Sequence, residues 1–151
     1  MKDKPTKKLQ HYLLSAKYLR NKADYLSEKM EKQRSRAEKM TASFQDVPVF
    51  GSYEDHRQSV IEEMVDTQKQ YAEIIQRCKK KLQEIQLFID NLENYQERAV
   101  MELRYIYFEE WPGVALIMGY TERQIFNIHG NALLHLLEIH EKIIENGKRL
   151  F

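Results

Sequence analysis

The sequence predicts an all-α fold: a long antiparallel helical hairpin, coiled-coil-like, followed by a C-terminal helix-turn-helix domain. Three observations carry this. Gly (5) and Pro (3) are scarce among the 151 residues, and neither occurs between Thr6 and Val47 or between Ser52 and Trp111. So few turn residues suit long helices rather than a sandwich or an α/β domain. Apolar residues make up 42% and charged residues 31%, which is enough to bury a core and too apolar for a disordered chain. Over two long stretches the apolar residues also recur at alternating spacings of three and four, the heptad signature.

The first helix is expected over about residues 6–41. Its stripe runs Leu9, Tyr12, Ala16, Leu19, Ala23, Leu26, Met30, Gln33, Ala37, Met40, with one polar interruption at Gln33. Thr41 to Glu54, which holds Pro48, Gly51 and two serines, reads as a loop. The second helix is expected over about 55–92, with a stripe of Ile61, Met64, Gln68, Tyr71, Ile75, Cys78, Leu82, Ile85, Ile89, Leu92 and one polar interruption at Gln68. If Met40 faces Ile61, then Ala37 meets Met64, Gln33 meets Gln68, Met30 meets Tyr71 and Leu26 meets Ile75. Further along, Ala23 meets Cys78, Leu19 meets Leu82, and Ala16 meets Ile85. Small residues then oppose larger ones, and the two amides satisfy each other within one layer. Each helix would be about 50 Å long, and Val65, Ala72, Ile74 and Phe88 widen the apolar face of the second beyond one seam. A third surface must cover them, supplied by the C-terminal region or by a second copy, and a homodimer is the expectation. Residues 1–92 are thus assigned to assembly and 93–151 to the second domain.

Trp111 to Gly130 fit the twenty-residue helix-turn-helix pattern position by position. Ala115 supplies the small residue where the helices cross, and Gly119 the residue that tolerates positive φ in the turn. Val114, Met118, Tyr120, Ile125 and Ile128 occupy the core-facing positions. Thr121 is placed to cap the second helix, with Gln124 three residues on to complete a capping box, and Pro112 suits the first turn of the first helix.

Other chemistry is not indicated. The single Cys78 allows neither an internal disulfide nor a cysteine-based zinc site, and its place on the stripe reads as a small buried hydrophobe. His129, His135 and His140 are six and five residues apart, which is not metal-ligand spacing on one helix. There is no Gly-rich phosphate loop, no nucleophile motif and no concave carboxylate pair, so no catalytic residue, metal or cofactor is expected and the chain reads as a non-enzyme. Tyr105, Tyr107, Phe108 and Trp111 read as core around the domain turn. No run of 18 apolar residues occurs, so no membrane is expected as a partner. The basic start of the sequence holds too short an apolar stretch for a signal peptide, and the expected location is intracellular, in the cytoplasm.

Charge is uneven behind a net of +1. Residues 1–40 carry twelve Lys/Arg against five Asp/Glu, a net of +7; residues 41–100 carry a net of −4 and 101–151 a net of −2. The basic first segment could attract nucleic acid or an acidic protein, or be a solvated face.

The runs at 97–105, 111–121 and 128–133 resemble region 4 of bacterial sigma factors, and more closely the sigma-region-4-like transcription regulators of phages and prophages of Gram-positive bacteria. Trp111, Tyr120, Thr121, Arg123, Gln124, Ile125, Ile128, His129, Gly130, Ala132 and Leu133 match, and the likeness covers 94–137. It implies that a helix from Thr121 to about Glu138 lies in a DNA major groove. The residues it implies for contact are Thr121, Glu122, Arg123, Gln124, Phe126, Asn127, His129 and Gly130, with His129 either at the DNA backbone or packed at the domain edge. Of these, Arg123 would fork onto guanine, Asn127 onto adenine, Glu122 would accept from cytosine and Phe126 would touch a thymine methyl. Double-stranded DNA and RNA polymerase are the implied partners, in a bacterial host cell. Residues 93–151 carry six Lys/Arg against nine Asp/Glu, so phosphate neutralisation must come from dimerisation or from the first segment. Two other functions fit the layout: a DNA-packaging recognition subunit resembling the small terminase, and a protein-only adaptor or inhibitor of the transcription machinery.

Overall fold

A computed structural model describes residues 3–43 and 52–151, and side chains from 4–42 and 54–151. Among these residues there are five helices and no strand: α1 (Asp3–Ser43), α2 (Ser52–Ile89), α3 (Tyr95–Tyr105), α4 (Trp111–Met118) and α5 (Glu122–Glu145). The middle of the expected 41–54 loop lies outside the described residues. At its edges α1 runs on to Ser43 and α2 begins at Ser52. α2 stops at Ile89 rather than 92, where the Asn91 amide donates to the carbonyl of Leu87 at 2.9 Å and closes the helix end.

The chain packs as two units, one of residues up to Tyr18 together with Cys78–Phe151, the other Leu19–Arg77. α1 and α2 contribute to both. In the second unit the helix pair is closed by Ala23, Leu26 and Ile74, with Leu19, Tyr71 and Ile75 packed around them. From Cys78 on, the expected Cys78, Ile85, Ile89 and Leu92 are buried, but in the 60–75 stretch the seam of α2 is rotated from the one expected. Val60, Thr67 and Ile74 are buried, whereas Ile61 and Gln68 are exposed and Ile75 is half-buried. Thr67 can go inside because its hydroxyl donates to the Glu63 carbonyl of its own helix at 2.9 Å, while a buried Gln68 would need a partner from outside it. The expected amide layer is therefore corrected. Gln33 is buried with its Oε1 unpartnered, and Gln68 stands at the surface beside the same pocket of about 210 Å³. Ala23 shares its cluster with Ile74, one turn away from the expected Cys78.

In the first unit Cys78 is buried and its thiol donates to the carbonyl of Ala16 at 3.6 Å. The core here gathers Leu9, Leu13 and Ala16 of α1, Ile85, Phe88 and Ile89 of α2, Met101 and Tyr105 of α3, and Leu133 and Leu136 of α5. The hydrophobic core thus runs across the expected 92/93 domain boundary. Phe88, expected to need an outside cover, is buried against this C-terminal region, while Val65 of the other unit stays 41% exposed. No helix among the described residues is long and apolar enough to cross a membrane.

Candidate nucleic-acid interface

α4 and α5 are joined by Gly119, Tyr120 and Thr121, and each junction residue has a local reason to be there. Gly119 has φ 72°, the left-handed region where a side chain would be strained. Its N–H and that of Tyr120 donate back to the carbonyls of Leu116 and Ala115, at 3.3 and 3.0 Å, which satisfies the end of α4 in the Schellman manner. Thr121 caps α5 reciprocally: its Oγ1 accepts from the Gln124 N–H at 3.2 Å, and Gln124 Oε1 accepts from the Thr121 N–H at 2.9 Å. Tyr120 is tied to the start of α3, its hydroxyl accepting from the Gln96 amide at 2.6 Å.

Behind the turn, Val114, Ala115 and Ile125 are buried with Val100 of α3, and Met118, Tyr120 and Ile128 pack against them. This is the inward set expected from the spacing. The start of α4 is held from two sides. Glu110 precedes the helix without capping it through its side chain, because its carboxylate accepts from Arg104 at 3.2 Å and from Lys17 at 3.3 Å. Those hydrogen bonds, Lys17 first, hold the Glu110 carboxyl below its ordinary range. The side chain is 71% exposed, so the clasp orients more than it stabilises. Neither member of this clasp was singled out by sequence, where Lys17 and Arg104 are two basic residues among many.

The proposed contact residues divide. Glu122, Arg123, Phe126 and Asn127 are exposed along the first turns of α5. Thr121 and Gln124 are exposed too, but the Thr121 hydroxyl and the Gln124 carbonyl oxygen are committed to the cap. Gly130 is half-buried in the helix interior, and a Cβ there would meet nothing within 4 Å. His129 is corrected. It is buried, its Nε2 shares a 2.7 Å hydrogen bond with the Tyr105 hydroxyl, and its ring meets Trp111 edge to face at 4.7 Å. Burial, and then the Arg104 charge, push its pKa down to about 4. Burial pushes the Tyr105 phenol up to about 12. Both are therefore neutral at ordinary pH, and His129 holds α5 to α3 and α4 instead of facing outward.

Trp111 organises the neighbouring aromatic groups. Arg104 stacks over it at 4.6 Å, and Phe126, 47% exposed, meets it edge to face at 5.3 Å. Phe126 is thus presented at the surface with its ring braced from behind. Tyr105 is core as expected, whereas Tyr107 stands 67% exposed. Further along α5, His135 pairs with the buried Glu97 of α3 at 2.8 Å, and this hydrogen bond raises the His135 pKa. His140 stacks on Phe151 at 3.9 Å and its Nε2 accepts from the Leu150 N–H. Among the described residues, no group of three or more His, Cys, Asp or Glu is arranged to hold a metal ion. Comparison of the chain with protein-family models, with curated proteins and with solved structures finds no match.

Proposed function

We propose that this chain is a DNA-binding transcription regulator of the sigma-region-4-like, phage or prophage type, working in a bacterial cytoplasm. α4 and α5 form its helix-turn-helix, and the first turns of α5 enter a major groove of promoter or operator DNA. One observation carries the reading. Glu122, Arg123, Phe126 and Asn127 stand exposed at the capped start of a helix whose Ile125 is fully buried. Those four side chains include a bidentate donor for guanine, an amide for adenine and an apolar contact for thymine. The resemblance of the 111–133 run to that family, read from the sequence, points the same way. Against the acidic balance of residues 93–151, a homodimer doubles the DNA contacts or the basic first segment reaches the backbone, and the exposed apolar flank of α2 at Ile61 and Val65 offers a surface for the second copy. RNA polymerase is a further partner of this reading.

The test is selection of bound sequences from random duplex DNA, with the mass of the complex measured in parallel. Arg123→Ala is expected to cost about 1–3 kcal/mol of specific binding and to relax preference at one base position. A variant that binds the selected site as tightly as the parent removes α5 from the interface. A ring of many copies, rather than a dimer, favours the DNA-packaging subunit.

A protein-only adaptor is the second reading, favoured by Leu116 and Ile117 of α4, which are 84% and 57% exposed. It requires no DNA retention at low salt together with stable recovery of RNA polymerase.

A further inference from the structure

The net charge of +7 on residues 1–40 is not spread evenly around α1. Lys4, Lys7, Lys8 and His11 fall at helical spacings that bring them to one face. This face does not simply meet solvent. With Lys81 of α2 the three lysines border an open hollow of about 660 Å³ whose floor is the half-buried Phe151, backed by Tyr12, which is itself only 6% exposed. The two rings stack at 5.3 Å, and Phe88 lies behind them, edge-on to Tyr12 at 6.2 Å. Lys4, Lys7 and Lys8 are exposed. Lys81 is held in place, 5.3 Å over the Tyr12 ring and 3.2 Å from Glu84. None of the described residues lining the hollow is Asp or Glu, and Glu84 at its edge is paired with Lys81, which leaves the three lysines of α1 as its open charges.

We propose that this hollow binds an acidic peptide segment of a partner protein. An aromatic or branched aliphatic side chain of the peptide seats on Phe151, which Tyr12 braces from behind, and its flanking carboxylates pair with Lys4, Lys7 and Lys8. Charge complementarity selects an anion, and the apolar floor decides what kind. The backbone of a duplex meets proteins through phosphate and sugar oxygens, which would leave the Phe151 ring uncovered. An amphipathic helix lying on a membrane presents a continuous apolar face, whereas here the apolar surface is a bounded depression ringed by ammonium groups. Lysines suit carboxylates on a flexible segment because each is a point charge with no fixed fork geometry to match. The inference does not rest on the DNA reading of α5.

The full chain is titrated against fluorescently labelled synthetic peptides, measured by anisotropy at low and high salt. One peptide carries Glu and Asp around a central Phe-Leu pair, and the other has Ser in place of that pair. The Phe-Leu peptide is expected to bind in roughly the micromolar range and the Ser peptide roughly tenfold more weakly. The exposed triple substitution Lys4→Gln, Lys7→Gln, Lys8→Gln should weaken the Phe-Leu peptide roughly tenfold and flatten its salt dependence. Phe151→Leu, which keeps an apolar floor, should lose less than Phe151→Ala. Arg123→Ala should leave peptide binding unchanged, so loss of the duplex reading is read separately. Equal affinity for the two peptides, or no binding of either at about 1 mM, overturns the proposal. It is equally overturned if the triple variant loses duplex DNA or anionic vesicles while keeping the peptide.

Discussion

Gly130 lies inside α5, where a glycine costs about 1 kcal/mol relative to alanine, yet a Cβ there would meet nothing within 4 Å. No contact among the described residues calls for it; in the proposed DNA complex it would admit close approach of the duplex. Gly130→Ala is expected to raise the melting temperature by roughly 2–4 °C and to weaken specific DNA binding roughly tenfold. A stabilised variant with unchanged DNA affinity would separate this glycine from the interface. His129 makes the opposite case, a residue of the same helix turned inward. Its pKa is pushed down from 6.5 to about 4. Well above pH 6.5 neither the folded nor the unfolded chain protonates it. As pH falls toward 4 only the unfolded chain takes the proton, which removes on the order of 3 kcal/mol of stability. His140, held down by burial, acts in the same direction. His135, held up by Glu97, opposes it, because its stabilisation is full at low pH and fades as pH rises through its raised pKa. Melting temperature should therefore drop between about pH 7.5 and about pH 4.5, and His129→Gln should shrink the drop. An unchanged pH profile in that variant would show that His129 is not the group responsible.

At the scale of elements, the helix pair in Leu19–Arg77 is closed by few large residues and one orphaned amide oxygen. An unpaired buried amide oxygen costs about 1–3 kcal/mol, so Gln33→Leu should stabilise the chain by about 1–2 kcal/mol in urea unfolding. A decrease would mean that water in the adjoining pocket satisfies the amide. A polar residue at one seam position also restricts helix register, and the same substitution should admit alternative pairings, visible as extra distances between spin labels on the two helices. The stripe of α2 shows why spacing alone misassigned this seam. Its positions 60, 67, 74 and 61, 68, 75 lie next to each other around the helix, and both sets contain apolar residues. The choice fell to the set whose polar member, Thr67, could bond to its own backbone. The α4–α5 junction was readable in advance, because αL glycine, capping box and small crossing residue are conditions met within a few neighbouring residues.

For the whole molecule, the core that supports α3 and α5 draws Leu9, Leu13 and Ala16 from one part of the sequence and Ile85, Phe88 and Ile89 from another. A fragment of residues 93–151, the domain drawn from sequence, would leave Met101, Tyr105, Leu133 and Leu136 without that cover. It is expected to show little helix by circular dichroism and no cooperative melt. A cooperative melt would make it an independent domain. Helix content, the two long stripes, the turn at Gly119 and the inward set of α4 and α5 follow from the amino-acid order, because periodicity and capping act between residues a few positions apart. The seam of α2, the burial of His129, the clasp on Glu110 and the lysine-bordered hollow depend on residues dozens of positions apart meeting. Which of several chemically acceptable faces turns inward was settled by what packed against it.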